Sequence, residues 1–169
     1  MRRKCFMLLA GLAVLAAPIL GSAAQEASTL PQAEAKAVYT YMTKTSPYQQ
    51  WSLWPGKDKL YPGTQPHGAL LTSYVNEIAA KALKDHKQAQ GLPDGSMIVK
   101  ENYSPDKKLM AVTAMYKKQG FAPQSGDWFW IKWMPDGKIE AAGKVGDCIK
   151  CHEQAKGSDY LFTAAKAGH

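Results

Sequence analysis

Apolar positions recur along the chain with two different periods. From Leu30 to Met42 they keep helical spacing: Ala33, Ala35, Ala37, Val38, Tyr41 and Met42. Thr29 stands where it can cap this helix and Pro31 falls in its first turn, where a missing N–H costs little. The helix is expected to end before Ser46-Pro47. From Ser46 to Gly68, Pro and Gly alternate with Trp51, Trp54 and Tyr61, which predicts an irregular segment anchored by its rings. Gly68 to Val75 reads as a strand. Asn76 then caps a second helix through Ile78, Ala79, Ala82 and Leu83, stopping before Gly91-Leu92-Pro93.

Beyond that point the period shortens to two. Ser96–Tyr103, Leu109–Lys117 and Asp127–Met134 are rich in β-branched and aromatic residues, and Ser104-Pro105-Asp106 and Gly120–Gly126 separate them with turn chemistry. Pro135-Asp136-Gly137 makes a tight turn into a fourth strand near Lys138–Lys144. The pattern predicts an α+β fold: a mainly antiparallel β-sheet with flanking helices and a C-terminal helix.

The first residues belong to a different regime. Arg2, Arg3 and Lys4 precede an apolar run from Cys5 to Leu20, and Gly21-Ser22-Ala23-Ala24 supplies small residues at the positions a signal peptidase reads. The run is short for a bilayer span, so cleavage after Ala24 and a periplasmic location are expected, with no membrane span in the mature chain. A single domain then covers residues 25–169. Removing the leader changes the charge. The chain has 21 basic and 14 acidic residues for a net +7; without Arg2, Arg3 and Lys4, 18 lysines oppose 14 acids, leaving +4. The mature chain has no arginine, which argues against nucleic-acid reading. A mild lysine excess suits an acidic redox partner protein or a merely solvated surface.

Cysteine usage narrows the chemistry. Of three cysteines, Cys5 goes with the leader, and Cys148 and Cys151 lie in Cys148-Ile149-Lys150-Cys151-His152. A CxxCH pentapeptide lets one helical turn offer two thiols to the vinyl groups of a haem while the adjacent histidine meets the iron. One covalent haem c is the expected cofactor, with Cys148 and Cys151 as thioether residues and His152 as axial ligand. A zinc site would need His67, His86 or His169, none at a standard spacing. A thioredoxin-like pair lacks its βαβ context.

The motif also sits unusually late. Only 17 residues follow His152, none of them Met, so the small electron-transfer cytochrome with a downstream axial Met cannot be built. Met97, Met110, Met115, Met134, His67 and His86 remain as upstream candidates for a sixth ligand. The expectation is a five-coordinate iron with an open distal face. The strands exclude a four-helix cytochrome c′ bundle.

DGSMIVKENY (Asp94–Tyr103), GDWFW (Gly126–Trp130), CIKCH and the closing DYLF (Asp159–Phe162) together resemble the cytochrome P-460 / cytochrome c′-beta family. The resemblance implies a homodimer of mainly antiparallel subunits, each with one five-coordinate haem c. It also implies one of two activities. In the P-460 branch a lysine is joined covalently to the macrocycle and hydroxylamine is oxidised. In the c′-beta branch an apolar pocket binds nitric oxide and carbon monoxide without that link.

Lys100 matches the cross-linking lysine by its VKE context. Alternation puts Ile98, Lys100 and Asn102 on one face of their strand and Met97, Val99, Glu101 and Tyr103 on the other. Lys100 therefore either faces the haem or lies on the outer face near acids such as Glu101. Aligned by eye, an acidic residue of the P-460 branch falls near Val112 and an arginine near Leu71, both apolar here, which favours gas binding. His67, between Pro66 and Gly68, reads as a turn residue, with a substitute base as the other reading. Hydroxylamine or nitric oxide redox chemistry, gas binding, and simple electron transfer all stay open.

Overall fold

The computed structural model describes residues 30–85 and 90–162. The leader, Thr29, His86 and His169 lie outside them. Among the described residues, seven strands form one antiparallel sheet: β1 (Ser52–Leu53), β2 (Tyr61–Pro62), β3 (Leu70–Val75), β4 (Met97–Tyr103), β5 (Leu109–Lys117), β6 (Trp128–Trp133) and β7 (Ile139–Gly143). Their order is β1-β3-β4-β5-β6-β7, and β2 pairs with the same edge of β3 as β1 does. The last four strands are the expected meander. The irregular segment departs from expectation, because its two shortest stretches pair with β3 and close the sheet's edge. The helices are α1 (Ala35–Thr40), α2 (Glu77–Lys84) and α3 (Gly146–His152). No helix among the described residues is long and apolar enough to cross a membrane.

Alternation along the strands gives the sheet two apolar faces, each with its own cover. On one face Tyr74, Met97, Val99, Val112, Tyr116, Phe129 and Trp133 pack against Val38 of α1 and Met42, all buried. On the other, Val75, Ile98, Met115, Trp128 and Trp130 pack against Ala79, Ala82 and Leu83 of α2 and against Tyr160 and Leu161. Full burial of a large apolar side chain contributes about 1.5–3 kcal/mol, so both covers are needed to hold the sheet.

The first helix starts later than its sequence suggests: Glu34 occupies the N-cap position of α1, and the helix runs on as a wider turn over Tyr41–Thr45. The cap of α2 is as expected. Asn76 Oδ1 accepts from Ala79 N and from Met97 N, both at 3.0 Å, and its amide donates to Gly95 O at 2.8 Å. One side chain thus ties the start of α2 to the start of β4.

Glu101 sits on the α1 side. It accepts hydrogen bonds from Tyr48 (2.9 Å), Tyr74 (3.3 Å) and Tyr103 (2.7 Å). These phenols satisfy a buried carboxylate that water does not reach. Lys100, one residue earlier, emerges on the opposite face, so an outer-face pairing of Lys100 with Glu101 is not what the fold builds.

Candidate functional site

Helix α3 carries the CIKCH pentapeptide. Cys148, Cys151 and His152 fall at i, i+3 and i+4, one stripe of a helix, while Val145, Cys148 and Ile149 pack against the α2-side core. Both thiols are free and half-buried. Asp147 lies in the first turn, where a negative charge suits the helix dipole.

His152 is buried and held in one orientation. Its Nδ1 lies 2.6 Å from Tyr160 O. A carbonyl only accepts, so Nδ1 carries the proton and Nε2 is left with its lone pair. A backbone acceptor behind a ligating histidine is the usual device for fixing tautomer and ring direction. Trp130 and Phe162 flank the ring, at 4.6 and 5.2 Å between centroids. Burial pushes the imidazole's pKa down, opposed by the bond to Tyr160 and aided by the charge of Lys100.

The Tyr160 carbonyl is itself aimed by a network. Asp159 and Tyr160 adopt φ of 54° and 65°, left-handed values that non-glycine residues rarely take. Asp159 accepts from Lys117 Nζ at 2.5 Å and from Leu92 N at 2.6 Å, and its own carbonyl accepts from Trp128 Nε1 at 3.0 Å. The Tyr160 hydroxyl donates to Gln124 O at 3.1 Å. Gly126, at φ 70°, allows the Tyr160 ring to pack on it; a Cβ there would meet ring carbons at 2.7 Å. The GDWFW and DYLF segments therefore meet behind His152.

In front of His152 lies a cavity lined mostly by apolar side chains with a few polar groups among them, as small-molecule and cofactor sites are. Ile98, Lys100, Thr113, Met115 and Trp130 line it from the sheet, Cys148 and His152 from α3, and Leu161 and Phe162 from the C-terminal segment. Lys100 thus shares a cavity with the thiol helix. Burial lowers its pKa, which eases access to the neutral amine.

His67 lines the same cavity. Its backbone does form a turn, with His67 N donating to Thr64 O at 3.0 Å, but the side chain is more than a turn residue. Its Nδ1 lies 3.0 Å from Asn102 Oδ1, and its ring centroid is 6.2 Å from that of His152. Burial, with Lys100 and His152 adding to it against the Asn102 bond, pushes the imidazole down to about 4. Trp54 and Tyr61 also line the cavity, whereas Trp51 and Trp133 pack on the far face.

Of the two positions matched to the family, Val112 needs correction. Val112 pairs with Glu101 and belongs to the α1-side core, so it does not face the cavity; Thr113, opposite Lys100, does. Leu71 pairs with Asn102, on the cavity side of the sheet, but is not among the lining residues. Of the remaining ligand candidates among the described residues, Met97 is in the α1-side core, Met110 is exposed and Met134 does not line the cavity, which leaves His67 and Met115 there.

The donor set fits a haem. The Cys148 thiol and a bare imidazole nitrogen border a largely apolar cavity, with Cys151 on the same stripe of α3, and Trp130 Nε1 is a buried donor with no partner among the described residues, as expected beside a group that brings its own acceptors. Among the described residues no cluster of three or more His, Cys, Asp or Glu side chains is arranged to hold a bare metal ion. The family model for cytochrome P460 matches residues 45–163.

The chain belongs to the cytochrome P460 family. Membership implies a haem cofactor and makes this a haem cytochrome. A comparison with curated proteins gave no match. The cytochrome P460 match covers every strand and both α2 and α3, and leaves α1 outside it.

Proposed function

We propose that the protein is an exported, periplasmic monohaem c-type cytochrome acting in the redox chemistry of small nitrogen species, hydroxylamine or nitric oxide. Cys148 and Cys151 hold the haem through thioethers and His152 ligates its iron through Nε2. When bound, the haem supplies one-electron chemistry and a coordination site for a small ligand. The chain's own residues orient it, with Tyr160 O fixing His152 and Trp130 and Phe162 flanking the ring.

One observation carries the reading: the Lys100 side chain lines the cavity that Cys148 and His152 border. That position supports a bond between its amine and the macrocycle. Forming that bond removes one hydrogen from Nζ and one from a macrocycle carbon, a two-electron oxidation that needs an external oxidant. The linked protein therefore weighs two hydrogens less than haem plus chain. Intact-mass and peptide analysis of purified holoprotein tests this. The expected result is a haem peptide joining Cys148–His152 to the peptide of Lys100; a haem peptide without that link ends the cross-linked reading. In the companion assay, hydroxylamine with an electron acceptor should turn over faster than with free haem.

A second reading, non-catalytic nitric oxide and carbon monoxide binding, is favoured by a specific feature. No carboxylate is among the residues that line the cavity, so the proton acceptor that hydroxylamine oxidation needs within hydrogen-bond reach would have to be His67. Absence of turnover combined with tight gas binding would select it. A homodimer and a separate redox partner protein complete the proposal.

A further inference from the structure

We propose that His67 is the second axial ligand of the haem iron in the resting protein, opposite His152. The assignment rests on the haem reading above and concerns the face that the sequence leaves open.

The distance carries it. The two imidazole centroids are 6.2 Å apart with ring planes at 87°. With metal–imidazole bonds of about 2.0–2.1 Å and roughly 1.1 Å from ring centre to ligating nitrogen, two trans imidazoles on one ion hold their centroids about 6.3 Å apart. The observed spacing matches that of two imidazoles on one ion.

The hydrogen bonds point the same way. Asn102 is fixed as to which end is oxygen: its amide nitrogen donates to Lys100 O at 2.9 Å and Ala111 O at 3.3 Å, while Oδ1 accepts from Gly68 N at 3.3 Å. Oδ1 can only accept from His67, so His67 Nδ1 carries the proton and Nε2 keeps its lone pair. His152 is arranged alike, with Nδ1 given to Tyr160 O. Two histidines, each with Nδ1 spent on a fixed acceptor and Nε2 free, border one cavity.

The His67 turn is also set closely against the sheet. A Cβ on Gly68 would meet Tyr103 N at 2.5 Å, so glycine is what lets the turn lie against β4 and bring the ring to Asn102. A small ligand would then have to displace His67 to reach the iron.

The ferric holoprotein at neutral pH tests this by optical and electron paramagnetic resonance spectroscopy. Wild type is expected to be low-spin and six-coordinate. His67→Ala and His67→Gln are expected to be high-spin, and added imidazole should return His67→Ala to the low-spin spectrum. Carbon monoxide affinity of the ferrous variants should rise by about tenfold or more if the displaced state is a tenth or less of the resting population. A haem-loaded wild type that is high-spin, or a His67→Ala protein that stays low-spin without imidazole, overturns the assignment while leaving the haem reading intact. Failure of the haem to remain attached on a denaturing gel overturns the haem reading, and with it this one.

Discussion

Replacing Asp159 with alanine tests whether the C-terminal segment is what aims His152. The carboxylate holds Lys117 Nζ at 2.5 Å and Leu92 N at 2.6 Å, with the ion-pair side chains only 14% and 8% exposed. Removing one partner of a buried pair costs about 3–5 kcal/mol, and an orphaned Leu92 N–H adds about 1 kcal/mol. Lys117 retains one compensation, because its Nζ lies 4.8 Å from the centroid of the Trp128 ring, an interaction worth about 1 kcal/mol. The net expectation is a loss of about 3–5 kcal/mol, read from denaturant unfolding of the holoprotein. At ~3 °C per kcal/mol, Tm falls by about 9–15 °C. Asp159→Asn keeps an acceptor and a residue tolerant of left-handed backbone, and should lose about half as much. Aim is read separately, by the iron–histidine stretching frequency of the ferrous holoprotein, in a His67→Ala background if the iron is six-coordinate. That frequency should fall as the Tyr160 carbonyl drifts from Nδ1. An Asp159→Ala protein within about 0.5 kcal/mol of wild type refutes the latch. Destabilisation with an unchanged stretch confines Asp159 to holding the fold.

Two further outcomes follow from the same geometry. Gly126→Ala places a methyl group 2.7 Å from the Tyr160 ring at φ 70°, so it should cost about 2–3 kcal/mol in denaturant unfolding; a cost near zero would mean the ring is not held there. Tyr74 should make the fold sensitive to alkali. Burial, with Glu101 beside it, raises its pKa from 10.0 to about 12. A group protonated more tightly in the folded state stabilises it fully below the unfolded pKa and loses that contribution as pH rises through the folded one. Stability should therefore fall between pH 10 and pH 12 less steeply in Tyr74→Phe than in wild type, as followed by unfolding curves; identical slopes would refute it.

What the sequence discloses here depends on range. Strands β4 to β7 are legible because period-two runs and Ser-Pro-Asp or Pro-Asp-Gly turns are local signals, and Leu109–Lys117 coincides with β5 from end to end. The CIKCH stripe is legible for the same reason. β1 and β2 are not, since two residues each carry no period. The role of His67 depends on Asn102, 35 residues away, and Asp159 finds Lys117 at a separation of 42. Neither pairing leaves a mark on the neighbouring sequence; the Pro-His-Gly context predicted the turn correctly and said nothing of the ring. Val112 differs from both: neighbouring positions of a strand face opposite ways, and the cavity neighbour of Lys100 is Thr113.

Strand β4 explains why the site and the core cannot be separated. Ile98, Lys100 and Asn102 point into the cavity side, supplying an apolar wall, an amine and the acceptor that orients His67. Met97, Val99 and Glu101 point the other way into the α1-side core, where three tyrosines close on Glu101. The carboxylate's bonds hold the register of β4 from behind, because Tyr48, Tyr74 and Tyr103 reach it from three places in the chain. That register alone sets Lys100 opposite Thr113 and Ser73. The polar cluster on the far side of the sheet is thus what keeps the lysine facing the haem site. A slip by one residue would exchange Lys100 for Glu101 in the cavity and bury an ammonium among phenols, so the buried carboxylate and the cavity lysine are coupled as adjacent residues on one strand.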